Sequence, residues 1–271
     1  MSTANAKGLP DIGGYEIVKY ISRGATGVVY QAKKDDKYYA LKEIPSKRRH
    51  SFLAEVENLK RVKGTKNVIE YVDSFSPTIF KYYIVMEYFD GDLLDKFYLS
   101  PSQTYSVVIT LFSTVIDLHN KGLIHADLKP RNILYNKDRD ELRIIDFESM
   151  CEKGSKCLRV NTPLYQPPEI INLFSLTKEL QTQFIDDYDM RLMDNYALAV
   201  TVYMLLTKEW PFEGIHSQDD AKNPELRRSI KPPKYDDTFD YILSSMLSFN
   251  MDDRMSLEIA RDRLEEAAFY I

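Results

Sequence analysis

The hydrophobic pattern of this chain changes character once, and that change limits what it can fold into. Up to about residue 86 the apolar residues fall in short runs rich in β-branched and aromatic side chains. Beyond residue 91 they recur mainly at helical spacing. Tyr15 to Arg23 and Gly27 to Lys33 read as strands around the turn signal Gly24-Ala25-Thr26-Gly27. Lys37 to Ile44 reads as a third strand after the turn at Asp35-Asp36. Connections this short predict an antiparallel meander. Apolar residues at 52, 53, 56 and 59 predict a helix over Phe52 to Arg61, with Ser51 as its N-cap. Val68 to Phe75 and Tyr82 to Met86 add two strands around Ser76-Pro77, and Glu87 to Gly91 is a short polar linker.

After the linker, Thr104 to Lys121 reads as a long helix stopped by Gly122. Two short strands, Ile133 to Tyr135 and Leu142 to Ile145, precede a polar loop from Met150 to Pro168. Asp189 to Thr207, Phe239 to Phe249 and Ser256 to Phe269 read as helices. A strand-rich part joined to a helix-rich part predicts a cleft at their junction, a usual place for a ligand.

With 271 residues, 44% hydrophobic and 28% charged, the composition is that of a globular protein with an ample core. A net charge of −5 argues against nucleic acid as a partner. Tyr196 to Leu206 is the longest apolar stretch, well short of the roughly 20 residues a membrane span needs. Met1 to Gly14 is small and polar without the apolar centre of a signal peptide, and reads as a flexible tail. Cys151 and Cys157 then read as free thiols, and the cytoplasm as the location, with the nucleus left open.

The chemistry concentrates in His125-Ala126-Asp127-Leu128-Lys129-Pro130-Arg131-Asn132, followed by Asp146-Phe147-Glu148 after the apolar pair Ile144-Ile145. Two carboxylates and an amide at these offsets can hold divalent cations and orient a hydroxyl, which phosphoryl transfer from a nucleotide requires.

On these motifs, in this order, the chain resembles a eukaryotic-type protein kinase of the Ser/Thr class from about Tyr15 onward. The resemblance implies an α+β, two-lobed fold. Its N-lobe, about 15–86, holds a five-stranded antiparallel sheet plus one helix. A hinge at about 87–91 leads to a mainly α-helical C-lobe, about 92–271. The implied ligands are ATP and Mg²⁺, and the implied partners are protein substrates with Ser or Thr acceptors.

Residue by residue, Ser22, Gly24 and Gly27 resemble the glycine-rich loop over the ATP phosphates, with Ser22 in place of the first glycine. Lys42 matches the phosphate-binding lysine of the third strand. Its implied partner is Glu55, which stands four residues before Leu59 as the family's helix glutamate stands before a core residue; Glu57 is the rival. Val29 and Ala40 would cap the adenine, Met86 fits the gatekeeper position, and Glu87 and Phe89 would meet adenine through backbone groups. Asp127 matches the catalytic aspartate, and Lys129 would neutralise charge on the transferring phosphate. Asn132 and Asp146 would hold Mg²⁺. His125 and Phe147 are assigned to packing. Thr162 would bond Asp127 and Lys129, Glu169 would pair with Arg254, and Asp194 would accept backbone N–H groups of the catalytic loop.

Three departures stand out. Ala126 replaces the arginine that commonly binds an activation-loop phosphate. Activity independent of loop phosphorylation is therefore expected, with Ser155 the obvious phosphate acceptor; Lys153, Lys156 and Arg159 read as substitute anchors for that phosphate or as a solvated face, the second being favoured. Glu148 replaces the glycine after Asp-Phe. If position 148 is left-handed, a side chain there costs about 1–2 kcal/mol, and Glu148→Gly is expected to retain activity. Finally, Ile170 to Met193 is longer than the family usually needs, and reads either as a helical insert or as a surface loop extension. Other readings are a pseudokinase that binds nucleotide or partners without efficient catalysis, a small-molecule kinase, and a purely structural protein. The presence of Lys42, Asp127, Asn132 and Asp146 weighs against the first, and Lys129 with the Thr162 to Glu169 segment against the second.

Overall fold

The computed structural model describes residues 11–24, 26–152, 162–173, 176–217 and 219–271. The chain forms two compact units. One holds residues up to 64, residues 68–90 and the short piece Asp146–Glu148; the other holds 65–67, 91–145 and 149–271.

The first unit is a sheet with one helix. Its strands are β1 (Asp11–Ile12), β2 (Tyr15–Arg23), β3 (Val28–Lys34), β4 (Lys37–Pro45), β5 (Tyr71–Thr78) and β6 (Lys81–Glu87), with α1 (Arg49–Arg61) between β4 and β5. The order is β1-β2-β3-β4-β6-β5, antiparallel throughout. Asp35 and Asp36 take φ 47° and 59° between the paired Lys34 and Lys37, the double left-handed turn that matches strand twist. Period-two alternation then divides the sheet. Tyr15, Ile17, Ala32, Leu41, Tyr83 and Val85 form one buried cluster. Val29, Gln31, Ala40, Lys42, Ile84 and Met86 share the opposite face, because directly paired residues point the same way. Helix α1 packs on β4, β5 and β6, with Phe52 stacked on Tyr82 at 4.6 Å between ring centroids.

Two local expectations change here. Residues 1–10 of the expected tail lie outside the described residues, but Asp11 and Ile12 pair with β2 as a sixth, two-residue strand. Ser51 does not cap α1. A 3-10 turn at Ser46–Arg48 already winds the chain, the helix starts at Arg49, and Arg48 occupies the N-cap without a side-chain cap bond.

The second unit carries β7 (Asp92–Leu93), α2 (Pro101–Asn120), β8 (Leu123–Ile124), β9 (Ile133–Asn136), β10 (Glu141–Ile144), β11 (Cys151–Glu152), α3 (Pro168–Leu173), α4 (Lys178–Asp187), α5 (Arg191–Thr207), α6 (Asp237–Met246) and α7 (Leu257–Ala268). Ser100 and Gln103 form a reciprocal capping box at the start of α2, with Pro101 at the first helical position. Residues Met193 to Tyr203 of α5 are all buried, which places it at the centre of the unit. The segment Ile170 to Met193 is largely helical, holding most of α3 and all of α4. No residue of α4 is fully buried, yet Phe184 and Ile185 pack against a cluster of Ile124, Ala126, Cys151, Ile170, Tyr188, Met190 and Met193.

Cys151 is disulfide-bonded, so the free-thiol expectation fails at this position, a buried residue of that cluster. Cys157 lies outside the described residues, as do Lys153, Ser155, Lys156 and Arg159. Among the described residues no helix is long and apolar enough to cross a membrane.

Candidate active site

The first unit assembles a buried charge cluster on its Lys42 face. Lys42 Nζ donates to both carboxylate oxygens of Glu55, at 2.6 and 2.7 Å, and lies 3.3 Å from Asp146 Oδ1. Glu57, the rival, points outward and pairs with Arg61 at 3.2 Å. A lone ammonium at this depth would be costly. Burial pulls Lys42 down, but the carboxylates of Glu55 and Asp146 outweigh it and hold the ammonium above its ordinary range.

Asp146 itself has φ 65°, an uncommon conformation for a residue with a side chain. Glu148 is not left-handed, so the strain anticipated there is absent and the unusual backbone lies two residues earlier. The next two residues are fastened to α1 and the turn before it. Phe147 is fully buried, and its carbonyl accepts from Asn58 Nδ2 at 2.7 Å. Arg48 donates to both oxygens of Glu148, at 2.9 and 3.2 Å. Carboxylate oxygens of Glu55, Asp146 and Glu148 lie within 4.8 Å of one another, with Lys42 and Arg48 offsetting their charge.

Beside Lys42 on the same face lie Val29, its direct pair on β3, and Ala40, paired with Met86. Ala40 and Val29 are half-buried and Met86 is buried. Ser22, at the end of β2, pairs with Val29 and is exposed. Gly24 N–H donates to the Gly27 carbonyl at 2.9 Å, closing the turn. The two glycines differ. A Cβ on Gly24 would meet nothing within 4 Å, whereas one on Gly27 would fall 2.1 Å from the carbonyl oxygen of Glu43. Gly27 is therefore required by strand packing, and Gly24 leaves open space above the turn. Glu87 engages Glu70, its N–H donating to the Glu70 carbonyl and its carboxylate accepting the Glu70 N–H. Phe89 is buried.

In the second unit, β8 delivers the chain into His125, and the β9–β10 hairpin returns it to Ile145. Asp194, fully buried at the start of α5, accepts the N–H groups of His125 and Ala126, each at 2.8 Å, and contacts His119 Nε2 at 3.0 Å. This holds Ala126 at φ 63°, and the reversal turns Asp127 away from the apolar cluster that takes the Ala126 methyl. His125 Nδ1 accepts the Asp127 N–H at 3.3 Å, which assigns the ring proton to Nε2, 3.2 Å from the Ile145 carbonyl. The ring thus spans two backbone groups, an orienting role. Lys129 Nζ lies 2.7 Å from Asp127 Oδ2 and 3.0 Å from Thr162 Oγ1, and the Thr162 hydroxyl donates to Asp127 Oδ1 at 3.1 Å. Asn132 Nδ2 donates to the Asp127 carbonyl and to Oδ2, at 2.8 and 3.1 Å. Its amide hydrogens are thereby spent on Asp127, which leaves Oδ1 as an acceptor. Asn132 Oδ1 and the Asp146 carboxylate are hard oxygen donors, the kind Mg²⁺ takes.

Arg254 forks onto Glu169 with two bonds of 2.7 Å, and the Tyr188 hydroxyl adds a third at 2.7 Å. Sequence reasoning missed Arg227. It is fully buried and donates to the carbonyls of Pro163, Gln166 and Asn223 at 2.7, 3.1 and 3.3 Å. It thus fastens the backbone just after Thr162. Arg48 and Asn58 were missed as well.

The family model described as "Protein kinase domain" matches residues 15–265. Calcium-dependent protein kinase 5 of Plasmodium falciparum is 30% identical over 268 residues, covering 90% of this chain and 44% of that protein. The chain spans 37% to 61% of the length of the first three curated relatives it matches. Among solved structures, Rad53 1-466 in complex with AMP-PNP superposes with a TM-score of 0.71 at 22% identity, covering 92% of this chain and 64% of that one. The Cydia pomonella Granulovirus kinase PK-1 superposes with a TM-score of 0.72 at 22% identity, covering 95% of both chains. At these identities the two likenesses speak for the fold.

Proposed function

Because the chain belongs to the protein kinase domain family, we propose that it transfers the γ-phosphoryl group of ATP to Ser or Thr hydroxyls of protein substrates. The observation that carries this reading is the three-way contact of Asp127, Lys129 and Thr162. Asp127 presents a carboxylate to accept or orient the acceptor hydroxyl, Lys129 offers a cation for the transferring phosphate, and Thr162 fixes both. A positioned base of this kind contributes on the order of 10²–10⁴-fold. Lys42, held charged by Glu55 and Asp146, is suited to bind the nucleotide phosphates. Ser22, Gly24, Gly27, Val29, Ala40, Met86, Glu87 and Phe89 complete the proposed nucleotide site. Asn132 and Asp146 are the proposed Mg²⁺ ligands; bound there, the ion would neutralise charge developing on the phosphates. The relative solved with AMP-PNP supports an adenine nucleotide as the ligand.

Independence from loop phosphorylation finds support at position 126. Its methyl packs among Ile124, Ile170, Tyr188, Met190 and Met193, apolar surroundings with no use for a guanidinium–phosphate pair. Radiolabelled ATP with generic protein substrates tests the whole reading. Transfer should vanish in Asp127→Asn and Lys42→Met, persist after phosphatase treatment, and label Ser or Thr on phosphoamino-acid analysis. Tight ATP–Mg²⁺ binding with no transfer by the parent chain would favour the pseudokinase instead.

A further inference from the structure

Glu148 stands where the family has glycine, and its partner Arg48 comes 100 residues earlier in the chain. We propose that Arg48 and Glu148 are positioning residues for phosphoryl transfer: their ion pair holds Asp146 at Lys42 and Glu55 without help from a phosphorylated loop. The inference rests on the reading of the chain as an active kinase.

Four observations carry it. First, Asp146 has a left-handed backbone, a state that persists only where the surroundings over-determine it. Three anchors surround it: Lys42 at the carboxylate, Asn58 at the Phe147 carbonyl, and Arg48 at Glu148. Second, the two anchors along α1 are far apart. Arg48 is the N-cap and Asn58 lies about 15 Å further along the axis. Packing on β4, β5 and β6 seats the helix on the sheet, and a single anchor would tie only one end of it to the 146–148 segment. Two fix its orientation, and with it the reach of Glu55 to Lys42.

Third, an arginine is poorly placed at a helix N-terminus, where the macrodipole favours anions. The first turn of α1 contains no acidic residue. Glu148 supplies that anion from the other end of the segment, so each residue accounts for the other. Fourth, the pair is substantially removed from water, with Glu148 11% and Arg48 29% exposed at the side chain. A single guanidinium nitrogen reaches both oxygens.

The test uses the full chain and four variants: Arg48→Ala, Arg48→Lys, Glu148→Gln and the exchange Arg48→Glu/Glu148→Arg. Phosphoryl transfer, Mg²⁺-dependent ADP affinity and thermal unfolding are measured on each. Arg48→Ala and Glu148→Gln should each lower kcat by about tenfold, the scale of one charge-assisted bond, and the same loss replaces the expectation that Glu148→Gly retains activity, because glycine removes the carboxylate that Arg48 holds. KM for the protein substrate should stay close to that of the parent, while the melting temperature should fall by a few degrees in Arg48→Ala, which strands the Glu148 carboxylate, and by less in Glu148→Gln. Arg48→Lys and the exchange should each recover most of the loss. Full kcat in both single variants, or a loss that follows melting temperature and is not restored by the exchange, overturns the proposal. If the parent transfers no phosphate, the kinase reading fails on its own. Mg²⁺-dependent ADP affinity then decides the pair, and equal affinity in parent and variants overturns it.

Discussion

Restoring arginine at position 126 would drive a guanidinium into the space of a buried methyl. Ala126 is 5% exposed, and its neighbours are the side chains of Ile124, Cys151, Ile170, Tyr188, Met190 and Met193, with Phe184 and Ile185 packed behind. Overfilling such a site costs about 1–3 kcal/mol. Stripping water from an unpaired cation costs several kcal/mol more. Each stem methylene that finds apolar contact returns about 0.8 kcal/mol. The net expectation is a loss of about 3–5 kcal/mol, or a melting temperature lower by about 10 °C for a chain of this size. Thermal unfolding of Ala126→Arg beside the parent and Ala126→Leu measures it. Leucine overfills the site but brings no charge, so it should fall about 1–2 kcal/mol below the parent. The arginine variant should also gain no dependence on loop phosphate. If it unfolds within about 1 kcal/mol of the parent, the guanidinium has found water or an anion, and the cluster does not close over position 126.

Gly27→Ala should weaken both folding and nucleotide binding, because its Cβ would fall 2.1 Å from the Glu43 carbonyl. Gly24→Ala meets open space and should leave the melting temperature unchanged; an equal loss in both variants would contradict the assignment. Arg254→Ala strands the Glu169 carboxylate and should cost about 3–5 kcal/mol by denaturant titration. Lysine cannot reproduce the fork, so full recovery in Arg254→Lys would count against it. Burial, then the bond to Asp236, pushes Tyr105 up to about 12. The folded chain thus holds this proton more tightly than the unfolded chain, whose tyrosine titrates near 10. Its contribution is intact below about pH 10 and lost as pH rises toward about 12. Tyr105→Phe should flatten the fall of melting temperature over that window, and an unchanged slope would refute the assignment.

What the sequence revealed depended on how local each cause was. The β3–β4 hairpin was legible because Asp35-Asp36 is a turn between alternating runs, and α2 because Gly122 ends its pattern. Lys42, Asp127, Lys129 and Asn132 were recognisable because their chemistry is written in side chains at fixed offsets. Where partners are backbone groups, sequence is silent. Arg227 binds three carbonyls and sits in a charged run that reads as surface. Glu87 engages Glu70 across the sheet, a pairing that register alone decides. The role of Gly27 was read as room for phosphates, but the nearest obstacle to a side chain is the Glu43 carbonyl on the next strand. Ser51 failed as a cap because the 3-10 turn at Ser46 starts the winding earlier. The Arg48–Glu148 pair was hidden by its separation of 100 residues.

The membership of Asp146–Glu148 in the first unit also sets an order of events during synthesis. The sheet and α1 are complete once residue 90 has left the ribosome, but the last three residues of that unit come 58 residues later, from 148 − 90. At about 5–20 residues per second this is a wait of several seconds. Through that interval Lys42 has Glu55 but not Asp146, and neither the Phe147 carbonyl for Asn58 nor the Glu148 carboxylate for Arg48 has been made. The nascent sheet therefore stands with α1 unpinned at both ends. A translational pause placed between codons 90 and 148 would prolong the stage at which this third of the protein lacks its last three residues.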